Sequence, residues 1–192
     1  MKSLVILIAG IVSILINSPF DDNIDYKPRL LLKELRSLTC SEDFQLRELQ
    51  LHESLTVNNF LNGKFLEVIC KEKRISTVYV GRVNSCRAGG CFNQLKAENE
   101  GEFEYFDYFI LFDLDNKITA VRVYNYAATH GQEITARGWL NQFTGYDGKV
   151  SLRVGKEIDS ISGATISVRG LVADVQEKAD IVKRLSMIQA EM

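Results

Sequence analysis

The clearest periodic signal along the chain lies near its C-terminal end. Val168, Leu171, Val172, Val175, Ala179, Val182 and Leu185 recur at i, i+3, i+4, i+7, i+11, i+14 and i+17. That spacing is one apolar stripe of a helix, and Arg169, Asp174, Glu177, Lys178, Asp180, Lys183 and Arg184 fill most of the remaining surface. Upstream the period changes. Lys64 to Cys70 and Ile75 to Val83 are β-prone runs joined by Lys71-Glu72-Lys73-Arg74, a polar tetrapeptide suited to a hairpin turn. Glu104 to Phe112 and Ile118 to Tyr126 form a second pair of runs, rich in aromatic and β-branched residues, around the turn composition of Asp113-Leu114-Asp115-Asn116-Lys117. Two shorter helices complete the pattern, one at Arg29 to Leu38 with Pro28 suited to its first turn, the other at Glu133 to Phe143 despite Gly138. No repeat or Pro/Gly linker divides residues 29–192. The expectation is a single α+β domain: a largely antiparallel sheet built from hairpins, packed by a long C-terminal helix and shorter helices.

The N-terminus departs from this plan. Ser3 to Ile16 is a 14-residue, largely apolar run behind Lys2, the charge order of a secretory signal. It falls short of the roughly 20 apolar residues that span a bilayer unless Asn17 to Phe20 are included. Residues 1–18 are therefore expected to be a signal peptide or an N-terminal membrane anchor, and the protein to be extracytoplasmic, in the periplasm or cell envelope. Export would let Cys40, Cys70, Cys86 and Cys91 form disulfides, with the pairing undetermined. Cys86 and Cys91 enclose the short stretch Arg87-Ala88-Gly89-Gly90 and suit a local structural bridge.

Composition narrows the chemistry. A net charge of -2 offers no diffuse field for nucleic acid, and two histidines without any C-x-x-C pair argue against a metal site. No Ser-His-Asp, Cys-His or paired-carboxylate constellation suggests a catalytic residue. What remains is Asp159-Ser160-Ile161-Ser162-Gly163-Ala164-Thr165-Ile166-Ser167, a run of small and hydroxyl residues at the entrance to the long helix. A helix N-terminus offers unpaired N–H groups and partial positive charge, Gly163 and Ala164 let a phosphate come close to the backbone, and Ser162, Thr165 and Ser167 add donors. The same residues also read as a simple cap, with Ser162 as the capping residue.

Asp159-x-x-Ser162-Gly163-Ala164-Thr165 resembles the D-x-x-[ST]-G-A-T flavinylation motif of FMN-binding domains, a family that includes the FMN-carrying subunits of Rnf-type complexes and of sodium-pumping NADH:quinone reductase. The resemblance extends over roughly residues 60–190. It implies that a flavin transferase moves FMN from FAD onto Thr165 as a phosphoester, and that Asp159 is read by, or lies near the metal of, that transferase. The segment Tyr126 to Glu133 looks like the family's loop reading E-T-P-G, with Thr129 and Gly131 in place, Ala128 standing for the Glu and His130 for the Pro. Trp139 to Gly145 looks like its following helix, ending Q-F-x-G. Thr129 and Gly131 thus join Asp159, Ser162, Gly163, Ala164 and Thr165 as candidate cofactor-binding residues. Trp139, Tyr124, Tyr126 and Tyr146 are candidates to stack on the isoalloxazine, core packing being the alternative. Gly81 to Cys91 is foreign to the family pattern and suits a flavin cover or a docking element.

The implied function is extracytoplasmic electron transfer by an FMN carrier, with the flavin transferase and membrane or exported redox proteins as partners. Two other functions compete: a flavin-dependent reductase of a small acceptor, which needs a substrate-sized cavity beside the flavin, and a flavin-free envelope module stapled by a disulfide.

Overall fold

A computed structural model describes residues 24–39, 43–51, 55, 61–71, 74–85 and 104–191. The expected signal or anchor segment and Cys40, Cys86 and Cys91 lie outside these residues, and Cys70 is half-buried at the end of a strand. Five strands, β1 (Gln45–Glu48), β2 (Gly63–Ile69), β3 (Ile75–Asn84), β4 (Tyr105–Asp113) and β5 (Ile118–Tyr126), form one sheet in sequence order. Every neighbouring pair is antiparallel. The four predicted strands appear within a residue or so of their expected ends. β1 does not follow from the sequence, because Gln45-Leu46-Arg47-Glu48 shows no apolar alternation and joins the edge through backbone pairing and an Arg47–Glu67 ion pair. The β4–β5 turn is closed by Asp113, whose Oδ1 accepts from the amides of Asp115 and Lys117 at 2.9 Å each.

Helix α1 (Arg29–Thr39) covers one face of the sheet and the long helix α3 (Thr165–Glu191) the other. Pro28 stands just before α1 and its carbonyl accepts the Leu32 amide at 3.1 Å, so it caps the helix from outside the first turn. The two-sided cover explains the unbroken apolar run of β4. Phe106, Tyr108, Ile110 and Phe112 pack toward α3, while Phe109 and Leu111 pack with Leu31 and Leu35 of α1. The predicted stripe of α3, from Val168 to Val182, is buried as expected.

The single helix predicted over 133–143 is three short turns instead. A 3-10 turn at Gln132–Thr135 precedes α2 (Arg137–Leu140), and a second 3-10 turn follows at Asn141–Phe143. The break falls at Ala136, which is extended with φ −64° and ψ 121°. Ile134 and Trp139 are both buried. On one straight helix, five residues would place their side chains about 140° apart, too far to share one buried face. Bending the chain at Ala136 buries both.

Polar groups also enter the core beneath α3. Lys178 is completely buried and pairs with Asp174 at 2.8 Å and Glu177 at 2.7 Å, and the Tyr108 hydroxyl donates to Asp174. Burial raises the Asp174 carboxyl above its usual range, with Glu177 adding to the rise and Lys178 and Tyr108 opposing it. Beside this group the buried Tyr79 hydroxyl makes no hydrogen bond among the described residues. Its ring lies over two glycines paired across β2 and β3. A Cβ at Gly81 would fall 2.3 Å from the Tyr79 oxygen, and one at Gly63 2.7 Å from it. An unpaired buried hydroxyl costs stability, so Tyr79→Phe is expected to keep or raise the unfolding free energy, by up to about 1 kcal/mol. Urea denaturation checks this; a clear loss would mean that the hydroxyl has a partner in solution.

Candidate functional site

The motif sits where the chain rises from the helical turns into α3. Asp159 is held through its backbone: its amide donates to Gln142 Oε1 at 2.8 Å, and its carbonyl accepts from Trp139 Nε1 at 2.9 Å. Its side chain is exposed. Ser162 and Gly163 then form a tight turn, closed by the Ala164 amide on the Ile161 carbonyl at 3.1 Å. Gly163 has φ +82°, a conformation that favours glycine, and no atom lies within 4 Å of where its Cβ would stand. The first α-helical hydrogen bond runs from the Val168 amide to the Ala164 carbonyl at 2.9 Å. The capping residue is therefore Ala164 and not Ser162, and no side chain closes the first turn from that position. The hydroxyls of Ser162 and Thr165 stay on exposed residues. Thr165, Ile166 and Ser167 precede the first intrahelical donor, Val168, so their amides belong to the positive end of the helix dipole. An open backbone at Gly163, helix amides and an exposed Thr165 hydroxyl suit a phosphate group.

The loop at 127–131 packs directly against this turn. Gly131, with φ +88°, is buried so closely that an added Cβ would meet Ser167 Oγ and the Tyr126 hydroxyl at 3.0 Å and Ala164 Cβ at 3.2 Å. Ser167 is buried, lying 3.1 Å from Ser85 Oγ and 3.3 Å from the Tyr126 hydroxyl, which itself donates to the His130 carbonyl. Thr129 donates to the buried carboxylate of Glu104, and the Ser85 amide donates to the Glu104 carbonyl at 2.7 Å. Burial lifts the Tyr126 phenol above its ordinary pKa, the charges of Glu133 and Glu104 add to this, and the hydrogen bond with Ser167 works against it. The structure thus brings Gly131 against Ala164 and Ser167. It also ties Thr129 to Glu104 at the stem of the segment between β3 and β4.

Gly131→Ala is expected to destabilise the protein by about 2 kcal/mol, from backbone strain plus crowding against Ser167 and Tyr126. Gly145 has a similar φ, +86°, but open space around it, so Gly145→Ala carries the strain alone. Equal losses in paired denaturation curves would remove crowding as the reason for glycine at 131.

The stacking candidates separate. Tyr126 remains at the site, its ring stacked on Phe106 with centroids 5.8 Å apart. Trp139 is buried edge-on to Phe143 and anchors Asp159, so its face is committed to the core. Tyr124 lies on the α1 side of the sheet, stacked on Phe109, with its hydroxyl on the Asp25 carbonyl. Tyr146 packs beside the start of β5, where its carbonyl accepts the Ile118 amide, at the end of that strand away from Tyr126. Of the segment Gly81 to Cys91, residues 81–85 end β3 and the rest lies outside the described residues. Ser85 and Glu104 did not emerge from the sequence. Neither belongs to a local motif, and only the β3–β4 pairing places them beside Ser167 and Thr129.

Together the fold and site define an α+β domain that presents a small-residue turn and an exposed threonine at a helix N-terminus. Residues 106–180 match the sequence model of a family described as FMN-binding domain. The matched segment spans β4, β5, the helical turns, the motif and more than half of α3, and supports the FMN-binding domain family for this part of the chain. The match begins at Phe106, later than the resemblance in sequence, and leaves α1, β1, β2 and β3 outside it. No curated protein matches the chain.

Proposed function

We propose that FMN is joined through its phosphate to the Thr165 hydroxyl and that the protein carries electrons outside the cytoplasm. The observation that carries this reading is Thr165 itself: an exposed hydroxyl on the first residue of α3, beside the open turn at Gly163, within a complete D-x-x-S-G-A-T motif. In the attachment the threonyl oxygen bonds to the FMN phosphorus of FAD, the pyrophosphate bond breaks, and AMP leaves as the hydroxyl proton is lost. The exposed Asp159 side chain, on a backbone fixed from both sides, suits recognition by the flavin transferase. The phosphoester charge would then rest at the positive end of α3. FMN supplies one- and two-electron chemistry when bound, and the protein sets its position and surroundings. The apolar run at Ser3 to Ile16 supports export or anchoring, with membrane or exported redox proteins as partners.

Co-expression with a flavin transferase followed by a denaturing gel under ultraviolet light tests the attachment. A fluorescent band is expected. A dark band beside an active transferase would overturn covalent attachment.

A further inference from the structure

Helix α1 presents opposite chemistry on its two sides. Leu31 and Leu35 are completely buried against the sheet. Arg29, Lys33 and Arg36 recur at i, i+4 and i+7, within about 60° of one another around the helix axis, and all three are exposed, as is Lys27 just before the helix. Among the described residues none of the four forms an ion pair. Several exposed cations elsewhere are held by carboxylates: Arg47 by Glu67, Lys149 by Asp147, Arg153 by Glu157 and Arg184 by Asp180. The carboxylate of α1 itself, Glu34, is turned to the flank, where Arg122 and Arg137 hold it at 3.3 and 2.8 Å. In a chain whose net charge is -2, this helix face is a local excess of positive charge.

The charges are strung along about 10 Å of helix and do not converge on a pocket, so they match an extended anionic surface better than a single small ion. The sequence places such a surface nearby. The largely apolar run at Ser3 to Ile16 ends 13 residues before Arg29, a reach of at most about 45 Å in extended chain, so an anchor there holds α1 beside the membrane. The aspartates in between, Asp21, Asp22 and Asp25, precede the helix in sequence, and Asp25 Oδ1 accepts the Lys27 amide at 2.9 Å. With Leu31 and Leu35 committed to the sheet, α1 has no apolar face to insert, so its contact with a bilayer is electrostatic and weakens with salt. Because α1 and α3 cover opposite faces of the sheet, a bilayer against α1 leaves Thr165 on the far side, open to other proteins.

We propose that the outer face of α1 rests on an anionic lipid surface, in which the run at Ser3 to Ile16 anchors the chain. The anchor rests on the export-or-anchor reading above; the flavin plays no part in it.

The full chain, made by cell-free synthesis in the presence of lipid nanodiscs, keeps its N-terminal run. Discs of phosphatidylcholine alone are compared with discs that also contain phosphatidylglycerol. Lysine acetylation by a water-soluble reagent is followed by mass spectrometry, with exposed Lys156, in a segment that packs on the α3 side, as the internal reference. Phosphatidylglycerol is expected to slow Lys33 about five-fold relative to Lys156 at low salt, roughly the effect of one cation held at the surface, and about 0.5 M salt should remove the difference. The double variant Arg29→Glu, Arg36→Glu keeps Lys33 as the probe and should lose the protection with unchanged circular dichroism. Equal labelling of Lys33 on both discs would overturn the lipid contact while keeping the anchor, and would leave the face to an acidic protein partner. Protection that survives high salt or the folded double variant would also overturn it, because the charges would not be its cause. A chain that co-purifies with neither disc would remove the anchor, and the proposal with it.

Discussion

Thr165→Ala is expected to eliminate covalent flavin and leave the folded domain intact. The side chain is exposed on the first residue of α3, and the capping position belongs to Ala164, so the substitution removes no cap. Alanine is also the better helix former. A change in stability within about 0.5 kcal/mol is therefore expected, as for an exposed position without special contacts. Thermal denaturation and in-gel fluorescence, run on the same preparations after co-expression with a transferase, separate the two effects. Thr165→Ser keeps the attacking oxygen and should restore part or all of the fluorescence. Undiminished fluorescence from the denatured Thr165→Ala protein would move the attachment to another hydroxyl, such as that of exposed Ser162.

The reason a bare alanine can stand at the head of α3 also explains what could be read without the structure. Strand positions followed from the density of aromatic and β-branched residues in β4 and β5, a signal that survives because both faces of β4 are buried. The motif was legible because its residues are contiguous. Its surroundings were not: Gly131 was visible as part of a loop pattern, but the buried Glu104 and Ser85 reach the site through pairing between β3 and β4. The helix expected over 133–143 failed for a related reason. Its composition permits a helix, and the demand to bury both Ile134 and Trp139 overrides that preference. Lys178 misleads most, since on the sequence it is one of the polar residues beside the apolar stripe. Its burial depends on Tyr79 and Tyr108 arriving from two different strands, and its ammonium lies 5.4 Å from the centre of the Tyr79 ring.

That burial makes Lys178 the position where one change should cost the fold most. In Lys178→Met the stem is replaced by a chain of similar length, but Asp174 and Glu177 lose their shared cation. Removing one partner of a buried ion pair costs about 3–5 kcal/mol. The lower end applies here, because the Asp174 side chain keeps 19% of its exposure and Glu177 33%. The pH dependence identifies the cause. Burial, the largest influence, already raises the Asp174 carboxyl in the folded protein, so its contribution to stability is fullest below the ordinary carboxylate range and is lost as pH rises through the raised value. Without the lysine the carboxyl should rise further, and the loss should extend over a wider span toward neutral pH. The difference in unfolding free energy between wild type and Lys178→Met should thus be larger at about pH 7 than at about pH 4, where the carboxyl is protonated more readily. Adding Asp174→Asn to the lysine variant should recover part of the loss at neutral pH, since an amide can still accept from the Tyr108 hydroxyl. A deficit that is the same at both pH values and unrelieved by Asp174→Asn would mean that the lysine stabilises through the packing of its stem and its contact with the Tyr79 ring, not by neutralising the carboxylates beneath α3.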